Sequence, residues 1–261
     1  MKCGTSSIYA ELSHHPDVFF PQNKEPNGLF SFLKEDATAI EDYRALYRGR
    51  AQKYLGDAST GYSKFPIRPS IAGIARELLH EDTKIIYVTR DPVARTERHL
   101  AHYIGNGSIA SPEGQITSNP EYIALSAYEM QLSFWRAHFE SHRILELKLE
   151  DYLTDRPETL NNIFAFLQLD PDLLGQAEPA NTNRGASRRS AYRSPLKPLV
   201  HSRLYGKIRE LLPPSVRRRF ASLLLPKALN HDVQLAPEEI DFVSRAVNKL
   251  DQLDCPSKRE I

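Results

Sequence analysis

Residues 84–92 read Lys84-Ile85-Ile86-Tyr87-Val88-Thr89-Arg90-Asp91-Pro92. The first six form an apolar, β-branched run that is typical of a buried parallel strand, and we expect this strand to end at Thr89. Asp91 is a candidate N-cap, and Pro92 is a candidate first residue of the helix that follows. Arg90 would then lie at the carboxyl edge of a sheet, where open α/β folds bind ligands. Its guanidinium could bind a phosphate there, or it could pair with a nearby carboxylate.

The N-terminal segment carries a second candidate anion site. It reads Lys2-Cys3-Gly4-Thr5-Ser6-Ser7 and runs directly into a helical pattern. Gly4 lets the backbone approach a ligand closely, residues 5–7 offer first-turn amides and hydroxyls, and Lys2 supplies a positive charge. The spacing is not that of the Gly-x-x-x-x-Gly-Lys-Ser/Thr nucleotide loop, because the lysine precedes the glycine. The segment indicates either a phosphate cradle or an ordinary helix capped by serine or threonine.

Together, the two segments resemble those of the sulfotransferases that use 3'-phosphoadenosine 5'-phosphosulfate (PAPS). Residues 2–7 resemble the family's 5'-phosphosulfate loop, and residues 90–95 resemble its 3'-phosphate element. Other segments agree with the family in order and spacing, namely residues 15–18, 24–26, 56–62, 149–152 and 166–169. The resemblance spans roughly residues 1–185. It implies the α/β, P-loop-like sulfotransferase fold, a central parallel sheet flanked by helices, and we expect residues 1–261 to form one domain.

The resemblance also implies a reaction. A sulfuryl group passes from PAPS to a hydroxyl or amine of a glycan, lipid or small-molecule acceptor, without a metal, and 3'-phosphoadenosine 5'-phosphate (PAP) is released. The protein must align donor and acceptor, remove one proton and stabilise the charge that develops on the leaving phosphate. Lys2 and the loop amides would stabilise that charge. Glu25 is the candidate base by alignment with the family, and Asp57 is the runner-up, although Lys24 and Glu25 could be solvated loop charges.

The start of the chain departs from the family's pattern. In relatives a central hydrophobic strand leads into the loop, whereas only Met1 precedes Lys2 here. We therefore expect an N-terminally truncated sequence that lacks its first strand; a natural variant without that strand is the alternative.

Three further positions differ from the family's pattern. Arg98 replaces a serine that usually contacts the 3'-phosphate. It could reach that phosphate, or it could point to solvent on a charged helix face that includes Glu97, His99 and His102. Ala58 stands where some carbohydrate-modifying relatives carry a lysine. Asn27 replaces a common histidine. These differences leave the acceptor open.

Positive charge is concentrated in residues 181–219. This range holds eleven lysines and arginines against Glu210, a local charge of +10 in a chain whose net charge is +1. By resemblance, Arg184 and Gly185 would belong to a basic loop over the 3'-phosphate. The arginines at 217–219 begin a predicted amphipathic helix over Pro214–Leu225. They could rest on anionic lipid or an acidic glycan, or they could form a solvated face.

Two other classes of function stay open. One is a catalytically impaired homologue that binds the nucleotide without turnover, and the other is a non-enzymatic basic module that docks a polyanion or a membrane surface. No nucleic-acid reader motif accompanies the arginines, so we do not expect nucleic-acid binding. The sequence has no secretory signal and no run of about 18 apolar residues. We therefore expect a cytoplasmic protein, although a missing N-terminus could have carried an anchor. Cys3 and Cys255 could form a bridge, but we expect both to be free thiols.

The periodicity of the apolar residues predicts the remaining elements. Helices are predicted over residues 6–13, 41–54, 70–79, 92–103, 121–139, 157–166, 201–212 and 236–253. Residues 143–149 are predicted to form a second strand, and residues 105–119 a loop. Residues 170–200, which are rich in Pro, Asn and Ser, indicate a mobile lid or linker. Trp135 is expected in the core.

Overall fold

The structure is a computed structural model that describes residues 2–173 and 232–252. The first part contains helix α1 (Thr5–Leu12), strand β1 (Val18–Phe19), helices α2 (Leu29–Leu33) and α3 (Ala37–Ala45), strand β2 (Tyr54–Leu55) and helix α4 (Ala72–Leu78). Strand β3 (Ile85–Thr89), helices α5 (Pro92–Asn106), α6 (Gln115–Ser118), α7 (Glu121–Ala124) and α8 (Tyr128–His138) and strand β4 (Ile144–Lys148) follow. Helices α9 (Leu149–Thr154), α10 (Arg156–Leu167) and α11 (Pro237–Asp251) come last.

The strands form two parallel pairs. Val18 of β1 lies opposite Tyr54 of β2, while β3 pairs with β4 from Ile85 opposite Ile144 to Thr89 opposite Lys148. Parallel strands with intervening helices confirm the predicted α/β class. In the described residues the two pairs remain separate sheets, and a cavity of about 770 Å³ is lined by residues of both β2 and β3.

The core is divided among three clusters of buried apolar side chains. One joins α1 to β3, β4, α9 and α10, and a second joins α5 to α7 and α11. The third surrounds Trp135, whose side chain is 8% exposed and packs with Ile71, Phe134 and Phe139. The predicted core position of Trp135 is therefore confirmed. Because the first cluster includes Cys3 and Leu149, the N-terminal segment is packed against the carboxyl end of β4.

Most predicted elements are confirmed within a few residues, but the helix predicted over residues 41–54 is wrong. Helix α3 starts earlier, because the Asp36 side chain accepts a hydrogen bond from the Ala39 amide, and it ends at Ala45. Gly49 then adopts a left-handed φ of 74°, which no helix continues through, and the chain enters β2.

The predicted helix over residues 121–139 is also divided into two, α7 and α8. The break contains Ser126, whose hydroxyl accepts a hydrogen bond from the buried Arg95 guanidinium and donates one to the Tyr122 carbonyl. The predicted loop over 105–119 contains the end of α5 and the short helix α6.

Several predictions lie outside the described residues. They concern Arg184, Gly185, Cys255, the helices over 201–212 and 214–225, and the lid or linker beyond residue 173. In the described ranges, no helix combines the length and apolar composition needed to cross a bilayer. The cytoplasmic location stays a prediction.

The face of α5 that includes His99 is buried, so the predicted charged face is wrong for this residue. Arg95 and His99 are both 0% exposed. The Arg95 Nη1 atom is 3.2 Å from His99 Nδ1, and the rings of Tyr103 and Tyr122 flank the imidazole. Burial and then the Arg95 charge lower the pKa of His99 to about 2, although the Glu121 carboxylate is 3.6 Å from Nε2.

This buried imidazole is expected to make the fold sensitive to mild acid. In the unfolded chain a histidine titrates near pH 6.5, so as the pH falls below 6.5 protons bind the unfolded state preferentially. We expect the free energy of unfolding to fall by about 2 kcal/mol between pH 7 and pH 5 through His99 alone. Urea unfolding of the wild type and His99→Gln at both pH values measures this difference, with the exposed His80→Gln as control. An equal pH dependence in all three proteins would contradict it.

Candidate donor and acceptor site

The loop before α1 is shaped by Gly4. Its φ of 78° is left-handed, and a Cβ atom at this position would lie 2.3 Å from Leu149 Cδ1. Only glycine therefore combines this backbone conformation with the close approach to Leu149. The Ser7 amide donates to the Gly4 carbonyl at 2.8 Å, whereas the amides of Thr5 and Ser6 have no hydrogen-bond partner in the described part of the chain. Two amides rather than the expected three are thus available to an anion at the positive end of α1.

Cys3 contributes to this loop in a different way from its neighbours. Its side chain is 2% exposed, and Sγ lies 3.4 Å from the Tyr128 hydroxyl. Cys3 forms no disulfide bond within the described residues. Because the side chain points into the core, a donor contact from this residue would use its backbone. The role of Cys3 in donor binding stays a prediction.

Arg90 lies beside this loop, at the carboxyl end of β3. The Arg90 Nη1 atom donates to the Lys2 carbonyl at 3.4 Å, so its described contact is with backbone rather than with a carboxylate. Its Nε atom is buried and has no hydrogen-bond partner within the described ranges. Asp91 caps α5 by accepting from the Ala94 amide at 2.8 Å, and Pro92 is the first helical residue, as predicted. Both predicted phosphate elements therefore meet at one edge of the β3–β4 pair.

Arg98 is exposed on α5. Its contact with a 3'-phosphate stays a prediction, as do the roles of Arg184 and Gly185.

Lys24 connects the Glu25 carboxylate to the loop before α1. The Lys24 Nζ atom donates to Ser6 Oγ at 3.1 Å and to Thr5 Oγ1 at 3.4 Å, and it is 3.5 Å from Glu25 Oε1. The Thr60 hydroxyl donates to Glu25 Oε2 at 3.0 Å. The Lys24 side chain is only 21% exposed, which does not agree with a solvated loop charge. Glu25 is 39% exposed and accessible to an acceptor.

Asp57 is enclosed by hydrogen-bond donors. Its Oδ1 atom accepts from the amide and hydroxyl of Ser59 at 2.9 and 2.5 Å, and its Oδ2 atom accepts from Tyr62 and Tyr43 at 2.7 and 3.0 Å. Burial, and next the Asp57 charge, raise the pKa of both tyrosines, so they remain protonated donors. A carboxylate accepts about four hydrogen bonds, and all four places are filled. This geometry favours an orienting role for Asp57.

The turn that Asp57 holds also supports the Glu25 segment. The Asn27 amide, two residues after Glu25, donates to Ser59 Oγ at 2.8 Å. Asn27 has a left-handed φ of 54°, which asparagine tolerates better than most residues. Sequence reasoning missed Lys24 and Thr60 as members of the site. The position of Lys24 next to Glu25 in the sequence was the one signal that could have placed Lys24 in the site. The spacing between Lys24 and the residues Thr5 and Ser6 matches no periodicity that would predict their contact.

Comparison with known proteins identifies the family to which the chain belongs. Residues 1–184 match the sequence profile of the family described as "Sulfotransferase domain". Because the match covers more than half of the chain, the protein belongs to the sulfotransferase domain family.

Individual relatives agree with this assignment. The chain is 22% identical to carbohydrate sulfotransferase 15 of Mus musculus over 279 aligned residues, which cover 78% of this chain and 50% of that protein. It is 22% identical to the Homo sapiens protein of the same name over 238 residues, which cover 65% and 42%. The chain thus spans about half the length of the curated relatives it matches.

A solved structure is similar over about two thirds of this chain. It is the crystal structure of a sulfotransferase from Alicyclobacillus acidocaldarius, with 26% identity and a TM-score of 0.53 over 68% of this chain and 83% of that one.

Proposed function

We propose that this protein transfers a sulfuryl group from PAPS to a hydroxyl or amine, with a glycan as the acceptor. The observation that carries the proposal is the pairing of two anion sites at one sheet edge. The amides of Thr5 and Ser6, which have no hydrogen-bond partner among the described residues, lie at the start of α1. The Nε atom of Arg90, which also has no partner among these residues, belongs to a side chain in contact with the Lys2 carbonyl. A nucleotide with phosphates at both ends of its ribose has the matching chemistry. The glycan acceptor is supported by the relatives named as carbohydrate sulfotransferases.

Residues of this chain can stabilise the charge on the leaving phosphate and remove the proton of the acceptor. When bound, PAPS supplies the sulfonate and a phosphate leaving group. The amides of Thr5 and Ser6, together with Lys2, stabilise the charge that develops on the 5'-phosphate. Glu25 accepts the proton of the acceptor as the new sulfur–oxygen or sulfur–nitrogen bond forms. That no metal is needed stays a prediction.

Loss of the Arg90 guanidinium is expected to weaken nucleotide binding. Arg90→Gln removes a charged donor set from the 3'-phosphate, and we expect about tenfold lower affinity for PAP or more. Calorimetric titration of the 261-residue chain with PAP measures the effect. The matched control is Arg76→Gln, which changes an exposed arginine on α4. Saturable binding by the wild type and the control, with loss in Arg90→Gln, supports the donor site. Equal affinity in all three proteins would refute the assignment of Arg90.

Turnover separates the enzyme from an impaired homologue. The wild type is incubated with PAPS and a panel of hydroxyl- or amine-bearing glycans, and formation of PAP and of sulfated product is followed by chromatography. Product formation supports the transferase. PAP binding without product from any acceptor supports the nucleotide-binding homologue instead.

A further inference from the structure

Lys24 occupies the space between the anion loop and the candidate base. The contacts of its ammonium group include Ser6 Oγ, Thr5 Oγ1 and Glu25 Oε1, at 3.1, 3.4 and 3.5 Å. The Tyr9 ring centroid lies 5.9 Å from Nζ, on the first turns of the same helix that carries the loop. The nitrogen therefore lies between two hydroxyls of the candidate donor loop and the carboxylate of the candidate base.

The path of the transferred group explains why a cation at this point matters. In the transfer, the bond between sulfur and the 5'-phosphate oxygen breaks, and a bond between sulfur and the acceptor atom forms. The electron pair of the broken bond stays on the phosphate, and the acceptor proton passes to Glu25. The sulfonate oxygens must therefore cross the interval between the loop and Glu25, which is the interval that Lys24 spans.

We propose that Lys24 binds the sulfonate of the donor during transfer and so acts as a specificity residue for PAPS over PAP. The inference rests on the proposed function. Ala58, in the 57–62 turn, carries no charge, whereas Lys24 places a positive charge between the loop hydroxyls and Glu25. A compact ammonium with three donor hydrogens can exchange one of its present contacts for a sulfonate oxygen.

If Lys24 only stabilised the loop, it would make the same contacts, but its removal would change the affinities for PAPS and PAP differently from the removal of a sulfonate-binding residue. If Lys24 only held the loop hydroxyls in place, its removal would weaken PAPS and PAP equally, because both nucleotides use the loop. If it binds the sulfonate, its removal affects PAPS more strongly, because PAP has no sulfonate. The ratio of the two dissociation constants therefore distinguishes these roles.

The test is calorimetric titration of the full chain with PAPS and, separately, with PAP. The proteins compared are the wild type, Lys24→Met, Lys24→Arg and the control Lys34→Met, which changes an exposed lysine at the end of α2. We expect Lys24→Met to lower the affinity for PAPS about tenfold and the affinity for PAP by less than about twofold. Lys24→Arg should restore part of the PAPS affinity, and Lys34→Met should match the wild type for both nucleotides.

The outcomes distinguish a failure of the proposed function from a failure of the proposed role of Lys24. If the wild type binds neither nucleotide, the proposed function fails. If the wild type binds both but Lys24→Met weakens PAPS and PAP by the same factor, the sulfonate role of Lys24 is overturned while the proposed function stands. Circular dichroism checks the fold of each variant. Should Lys24→Met unfold, Lys24→Gln keeps a hydrogen-bond donor of similar length and carries the same comparison.

Discussion

Glu25→Gln is expected to reduce the rate of sulfuryl transfer by about 10²–10⁴-fold while it leaves the affinity for PAP within about twofold. The substitution keeps the shape of the side chain and one acceptor oxygen for the Thr60 hydroxyl, but it removes the group that accepts the proton. The Glu25 carboxylate contacts Lys24 and Thr60, and the side chain is 39% exposed, so the nucleotide site retains its own donors when this group is changed. Initial rates with saturating PAPS and an active glycan acceptor, together with calorimetry for PAP, measure the two effects.

The control for this substitution is Glu77→Gln, an exposed position on α4 that is expected to retain full activity. Asp57→Asn provides a second comparison. Because the Asp57 carboxylate accepts four hydrogen bonds, an amide there turns one oxygen into a donor against Tyr43 and Tyr62 or against Ser59. The variant should lose thermal stability together with activity. An active Glu25→Gln beside a stable but inactive Asp57→Asn would reverse the assignment of the base.

The features of this site that were predicted from the sequence are all determined by residues close to one another in the chain. The end of β3 at Thr89, the Asp91 cap and Pro92 at the start of α5 depend on neighbouring residues, and all three were predicted. The left-handed Gly4 before α1 belongs to the same kind of signal. A sequence pattern can report such features because each one is set within a few residues.

The features that escaped prediction depend on contacts between distant segments. Lys24 contacts Ser6 across 18 residues, and Tyr43 contacts Asp57 across 14. No periodicity relates these pairs. His99 follows the charged residues Glu97 and Arg98 in sequence, and only the packing of α5 against α7 shows that it is buried. The hydrophobic pattern predicts which apolar residues are buried. A polar side chain is buried only where hydrogen-bond partners compensate for its lost hydration, and those partners are distant in sequence.

The helix that carries the anion loop is fixed at its far end by a buried ion pair. Glu11, on α1, is 0% exposed, and its Oε1 and Oε2 atoms accept from Arg156 Nε and Nη2 at 2.8 and 2.7 Å. The Tyr152 hydroxyl donates to Oε1 at 2.6 Å. Burial raises the pKa of Glu11, but the hydrogen bonds from Arg156 and Tyr152 together lower it below its usual value. The carboxylate is therefore charged and fully paired.

Removing one partner of such a pair leaves a buried charge without compensation. We expect Arg156→Leu to lower the free energy of unfolding by about 3 kcal/mol, at the low end for a buried pair because Arg156 itself is 28% exposed. Urea unfolding at pH 7 measures the loss. The control is Arg136→Leu, which breaks surface pairs with Glu129 and Glu146 and should cost at most about 1 kcal/mol.

The pH dependence of the unfolding free energy of Arg156→Leu is an independent test of whether the loss comes from the unpaired charge of Glu11. A carboxyl whose folded pKa is depressed contributes stability above its unfolded pKa, and this contribution is lost as the pH falls through the folded value. The wild type should therefore lose the Glu11 contribution below about pH 4.5, the ordinary value for glutamate. In Arg156→Leu, burial without the guanidinium should raise the pKa of Glu11, so the neutral acid is tolerated and the stability difference from the wild type should shrink in acid. A difference that stays constant from pH 7 to pH 4 would mean that packing of the Arg156 side chain, rather than its charge, holds α1 in place.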